Sequence, residues 1–217
     1  MAVGKPRRGR DERAIPNRDR DRRAHRGRAR CFCRGAPSHQ MRAPNNIKSQ
    51  KREIDQAEGS GMTIATITRA SLDAMVAQAE REFPYECCGF ILGDGAAEEV
   101  RPITNIQNQK HAENPAAFTR DARTAFLMDP KEHLAVLKEI DRRKLKLMVV
   151  YHSHPDHDAY FSATDRAQAC SFDPGEPDYP DTIYIVMSVR GGKFVGAAAF
   201  GWDFQAKDFT PLDLNVV

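Results

Sequence analysis

Leu147-Met148-Val149-Val150-Tyr151-His152-Ser153-His154-Pro155 is an apolar, partly β-branched run that ends in two histidines and a proline. Such a run reads as a buried strand. Side chains two apart on a strand share a face, so His152 and His154 point the same way, as two ligands of one small cation must. After Pro155 a short polar loop leads to Ser162, whose spacing to Asp165 opens a helix expected over 163–171. A carboxylate at that helix start can reach back over the strand end. Two imidazoles and one carboxylate leave a tetrahedral zinc one open position, the arrangement of a catalytic site, since structural sites are closed by four protein ligands. Bound zinc brings the pKa of water down to roughly 7, and a nearby carboxylate is still needed to take and return the proton.

Each of these residues also has an ordinary reading. A strand-end histidine pair is a common surface or supporting feature. Ser162 and Asp165 satisfy a near capping box, in which the serine accepts from a helix amide and the aspartate reaches back to the cap's own N–H, with no metal required.

The joint pattern goes further. H-S-H-P followed by S-x-x-D, with Asp165 eleven residues after His154, resembles the motif of the JAMM/MPN-plus zinc metalloproteases. The resemblance implies that His152, His154 and Asp165 hold one zinc ion per chain and that Ser162 helps polarise the scissile carbonyl. It implies a general base at Glu86, within Glu86-Cys87-Cys88-Gly89-Phe90-Ile91-Leu92-Gly93. That stretch is similar to the E-x-C-G-x-x-x-G segment of the bacterial branch that processes sulfur carrier proteins, peptidases of the CysO-cysteine type. Apart from the resemblance, Glu86 reads as an exposed acid between a helix and a strand. The resemblance runs from about Ile64 to Phe200. It implies a mixed curved sheet flanked by helices, an α/β fold related to the cytidine deaminases, although no P-C-x-x-C follows the histidines as deaminase chemistry requires. The implied substrate is a ubiquitin-like sulfur carrier protein with a Gly-Gly C-terminus, cleaved after the last glycine to release cysteine or trim further residues in sulfur-metabolite synthesis. Two rivals stand beside this: a non-catalytic MPN scaffold, which ordinarily lacks the ligands, and an isopeptidase acting on another ubiquitin-like protein.

A second metal pattern, His152-Ser153-His154-Pro155-Asp156-His157, fits the H-x-H-x-D-H of two-metal β-lactamase-like hydrolases. That site needs further downstream histidines, and all seven lie at or before position 157. His157 and Asp158 are therefore expected as loop residues at the mouth of the site.

Charge divides the 217-residue chain near Met62. Residues 1–61 carry 17 Lys and Arg against 7 Asp and Glu, net +10, whereas residues 62–217 carry 16 against 23, net −7. The first segment is rich in Arg, Pro and Gly with almost no apolar periodicity, and disorder is expected there. Phosphate binding by its arginines is disfavoured, because Phe32 is its only aromatic residue. It has neither the apolar core of a secretory signal nor the acid-poor composition of a transit peptide. Cys31, Cys33 and His39 are too compressed for a zinc finger. The abrupt onset of foldable sequence makes Met62 an expected alternative translation start, with residues 62–217 as the protease domain. Five cysteines, two of them adjacent at Cys87 and Cys88, form no disulfide framework, so a reducing, cytoplasmic setting is expected. No apolar run approaches the ~20 residues of a membrane span.

In order from Met62, the expected elements are a short strand at 64–67 and a helix capped by Ser71 and ended by Pro84. Strands at 87–93 and 100–106 follow, then a polar loop at 105–114 in which His111 is solvated. Residues 118–126 form an ambiguous segment that can pair as a strand. A helix runs from Pro130 to Lys144 with Leu134, Leu137 and Ile140 inward and His133 outward. The histidine strand and the Ser162 helix come next. An acidic, proline-rich loop at 172–181 reads as a connection, lid or partner rim. The last strands are at 182–189, 193–203 and 209–217, the first two joined through Arg190-Gly191-Gly192.

Overall fold

A computed structural model describes residues 64–95 and 97–217. The expectations for residues 1–61, including disorder and the start at Met62, lie outside these residues. Among the described residues, seven strands form one mixed sheet that curves into a half-barrel. They are β1 (Ile64–Ile67), β2 (Cys88–Gly93), β3 (Glu98–Ile103), β4 (Lys146–Pro155), β5 (Ile183–Arg190), β6 (Lys193–Asp203) and β7 (Asp208–Val216), in spatial order β1-β7-β6-β5-β4-β2-β3. The β1–β7 and β4–β5 pairs are parallel and the rest antiparallel. Register shifts between Ile91 and Leu92 and between Ser188 and Val189 add local twist where curvature is needed.

Strand alternation sorts the core into two layers. Val149 and Tyr151 of β4, with Ile91, Ile185 and Met187, face α1 (Arg69–Glu82), which buries Leu72, Met75 and Ala79 against them. Val150, Phe90, Leu92 and Val186 face the other way, toward α3 (Pro130–Arg143) and α4 (Ala163–Ala169). The central strand β4 is also locked to α1 by polar contacts. The buried Tyr151 hydroxyl donates to Gln78 Oε1 at 2.6 Å, and Gln78 Nε2 donates to the Cys88 carbonyl at 3.1 Å. Gly89 lies under this link, where a Cβ would collide with the Tyr151 hydroxyl and the Arg101 carbonyl. Gly89→Ala is therefore expected to lower unfolding free energy by about 1–3 kcal/mol, read from the denaturant midpoint at unchanged m.

Several local expectations are corrected. The cap of α1 is Thr68, whose Oγ1 accepts from Ser71 N; Ser71 sits inside the first turn, buried. The expected polar loop at 105–114 contains a short helix, α2 (Gln107–Glu113), entered through Asn105 Oδ1 accepting from Gln107 N. His111 is half-buried and bonds the Phe118 carbonyl through Nδ1 at 2.6 Å. Residues 118–126 form no strand, and only Met128 bridges to Asn105. On α3, Leu134 is 51% exposed and Val136 is buried instead, so the inward face is rotated by about one residue. That rotation tucks His133 inward, 5.0 Å from the Phe90 ring and hydrogen-bonded to the Tyr179 hydroxyl at 2.9 Å. Loop packing at Tyr179, which helical periodicity alone does not carry, decides that face.

Candidate active site

The continuation of β4 through Pro155 carries both histidines on the α4 side of the sheet, in register with β5 at Val186 and Ser188. Both are buried, His152 to 2% exposure. Asp165 arrives from the third residue of α4. The capping box forms as the spacing predicts: Ser162 Oγ accepts from Asp165 N at 3.1 Å, and Asp165 Oδ2 accepts from Ser162 N at 2.7 Å. Capping uses one carboxylate oxygen and leaves Oδ1 facing His152. The capping and metal readings of Asp165 are thus compatible, because one carboxylate has oxygens for both.

The three side chains converge on one point. His152 Nε2 and His154 Nε2 are 3.1 Å apart, Asp165 Oδ1 is 3.4 Å from His152 Nε2, and Asp165 Oδ2 is 3.5 Å from His154 Nε2. Bonds of 2.0–2.1 Å in a tetrahedron put neighbouring ligand atoms about 3.3 Å apart, so the donor set has the size that zinc requires. Its chemistry fits as well. The Asp158 carbonyl lies 3.0 Å from His154 Nδ1, and a proton there leaves the Nε2 lone pair for the cluster, the usual outer support of a metal-binding histidine. Phe126 stacks on His152 at 4.7 Å, and Tyr160 meets His154 edge-on at 5.1 Å.

Electrostatics reflect the crowding. Burial favours the neutral form of His152 and pushes its pKa down. For His154 burial also pushes down, but Asp165, the Asp158 carbonyl and Glu86 outweigh it and the net direction is up. Burial raises Asp165, yet hydrogen bonds from both histidines and from Ser162 hold it well below the usual carboxylate range. The negative charge of Asp165 that favours a proton on His154 would favour a bound cation in the same way.

Glu86, immediately before β2, is not the exposed acid its sequence neighbours imply. It is 5% exposed. Burial pushes its carboxyl up to about 8, with Asp165 adding to the rise while His154 and Arg120 oppose it. Backbone contacts fix its place: Glu86 N donates to the Ala122 carbonyl at 2.7 Å, and Asn105 Nδ2 donates to the Glu86 carbonyl at 2.8 Å. Ser153, given no role by the sequence, ties the two strands at this point. Its Oγ accepts from Cys87 N at 2.9 Å and its N donates to the Cys87 carbonyl at 3.1 Å. Phe126, Ser153 and the Asp158 carbonyl are supports that sequence reasoning missed, and only Ser153, placed between the histidines, carried any signal.

The Glu86 shift has a measurable sign. In metal-free protein the folded state keeps this proton up to about pH 8, while the unfolded chain releases it near the ordinary 4.5. Its contribution to stability is therefore full below 4.5 and is lost as pH rises toward 8. Glu86→Gln has no such loss. In the presence of chelator, the variant's unfolding free energy is expected to gain a few kcal/mol on wild type between pH 5 and pH 8, read from urea midpoints. A gap independent of pH would show Glu86 to be solvated.

A family model described as prokaryotic homologs of the JAB domain matches residues 68–195. A desampylase from Haloferax volcanii is 30% identical over 111 residues, covering 50% of this chain and 66% of its own length. A CysO-cysteine peptidase from Mycobacterium tuberculosis is 30% identical over 131 residues, 60% of this chain and 77% of its own. A probable TtuB-protein conjugate cleaving protease from Thermus thermophilus is 33% identical over 103 residues, 48% and 62%. The solution structure of a protein from Desulfitobacterium hafniense superposes with a TM-score of 0.51 at 25% identity, over 71% of this chain and 93% of that one.

Proposed function

The chain belongs to the prokaryotic JAB family, and from that premise we propose that it is a zinc-dependent peptidase that hydrolyses the amide bond after the C-terminal glycine of a ubiquitin-like sulfur carrier protein. The observation that carries this reading is the buried convergence of His152, His154 and Asp165 with Glu86 held beside them. Those three residues would hold the zinc. A zinc ion held there supplies Lewis acidity and makes water acidic enough to attack at neutral pH. Glu86 takes the proton of the attacking water and passes it to the departing amine, a task suited to a group whose pKa lies near the working pH. Positive charge at the cluster would lower that pKa from about 8. The Ser162 hydroxyl accepts from a helix amide and keeps its own hydrogen to donate to the developing oxyanion. Ser153 and the Asp158 carbonyl position Glu86 and His154.

Two of the relatives are by name a peptidase and a protease, and those names refer to CysO and to a TtuB conjugate. They support a ubiquitin-like carrier as the partner, and its Gly-Gly end is part of the proposal. They also favour, as the second reading, an isopeptidase that detaches a ubiquitin-like protein from another protein. A reducing, cytoplasmic setting belongs to the proposal, supported by the buried free thiols Cys87, Cys88 and Cys170. Among the described residues, no helix is long and apolar enough to cross a membrane.

The test is the intact mass of a Gly-Gly-ended carrier bearing one extra C-terminal cysteine, incubated with the zinc-loaded full chain. Loss of one cysteine residue, abolished by chelator, is the expected result. An intact carrier alongside cleavage of an isopeptide-linked conjugate would select the second reading.

A further inference from the structure

Beside the candidate zinc site lies a cavity of about 280 Å³ between the sheet, α3 and α4, and His152 and Asp165 both belong to its wall. The rest of its lining is mainly apolar, with Phe90, Phe126, Val150, Phe161 and Ala169 prominent. A cavity of roughly 150 Å³ already admits benzene. This one has room for a large side chain and is too big for a cysteine thiol to fill.

Its polar groups are nearly all engaged. His133 is paired with Tyr179, Ser171 with Asp178, and Gln168 with the Phe126 carbonyl. The exception is Tyr184, which is 5% exposed. Its hydroxyl is the buried side-chain polar atom without a hydrogen-bond partner among the described residues. That hydroxyl exposes less than 1 Å² of surface, so it lies behind the wall and the free surface of the cavity is essentially apolar.

We propose that this cavity binds the side chain of the first residue released, and that it selects a large apolar or aromatic residue. The inference rests on the carrier reading above. A carrier that ends in Gly-Gly offers no side chain on the acyl side of the scissile bond, so a cavity sharing its wall with the candidate ligands is left to the leaving side. Side-chain burial there acts next to the reacting atoms, where differential binding changes rate.

The experiment compares the full zinc-loaded chain on a Gly-Gly-ended carrier extended by alanine, cysteine, phenylalanine or tyrosine, with kcat/KM taken from intact mass. Phenylalanine and tyrosine are expected to exceed alanine and cysteine by tenfold or more. Ala169→Leu should erase that preference. Equal rates for cysteine and phenylalanine would overturn the proposal. If none of the four carriers is cut, the carrier reading fails, and p-cresol decides the cavity by itself. Saturable p-cresol shifts of the Ala169 methyl resonance support a site for aromatic side chains, and their absence removes it.

Discussion

Replacing Glu86 with glutamine is expected to lower kcat by roughly 10²–10⁴-fold while zinc stays bound at one per chain. The substitution keeps the shape of the side chain and its place between the Ala122 carbonyl and Asn105, contacts made by the Glu86 backbone alone. It leaves His152, His154 and Asp165 untouched. What it removes is a group that can take a proton from water and return it to an amine. The loss should therefore fall on kcat more than on KM, since the carboxylate acts on atoms that change bonding in the transition state. Metal content by elemental analysis and steady-state kinetics on the same preparation separate this from unfolding or metal loss. A variant within threefold of wild type and fully zinc-loaded would take Glu86 out of the mechanism.

How much of this was legible beforehand follows from which interactions are local. The β4 alternation is a local property, and it placed His152 and His154 on one face before any tertiary information was available. The capping box of α4 is equally local, since Ser162 and Asp165 lie three residues apart. Family resemblance supplied Glu86, whose own neighbours read as an exposed acid. Its burial depends on the segment around Ala122, more than thirty residues on. The misread elements share that non-local character. Helix α2 has no side-chain cap of the usual kind and is seeded by Asn105, which also bonds Glu86, Ala125 and Leu127. The inward rotation of α3 at His133 depends on Tyr179, 46 residues away. The cavity beside the site is likewise invisible to periodicity, because it is a gap between elements and not a property of any one of them.

Removing a candidate ligand should have the opposite signature to Glu86→Gln. His152→Ala is expected to lose both zinc and activity, with the fall in metal affinity well beyond the 10–100-fold typical of outer-sphere partners. Asp165→Asn sharpens the attribution. An amide oxygen can still accept from Ser162 N and preserve the cap, so the start of α4 should survive while the negative charge that holds the cation is gone. Ser162→Ala completes the comparison from the other side. It deletes the hydroxyl that accepts from Asp165 N, and is expected to cost about 1 kcal/mol of stability. It should keep zinc and lower kcat by roughly 10²–10³-fold through the missing oxyanion donor. The three variants therefore separate metal loss with the cap kept from cap loss with the metal kept. Zinc retained at full stoichiometry in both His152→Ala and Asp165→Asn would mean that the cation sits elsewhere. The 3.1–3.5 Å convergence of the two imidazoles and the carboxylate would then be a polar cluster without a metal role.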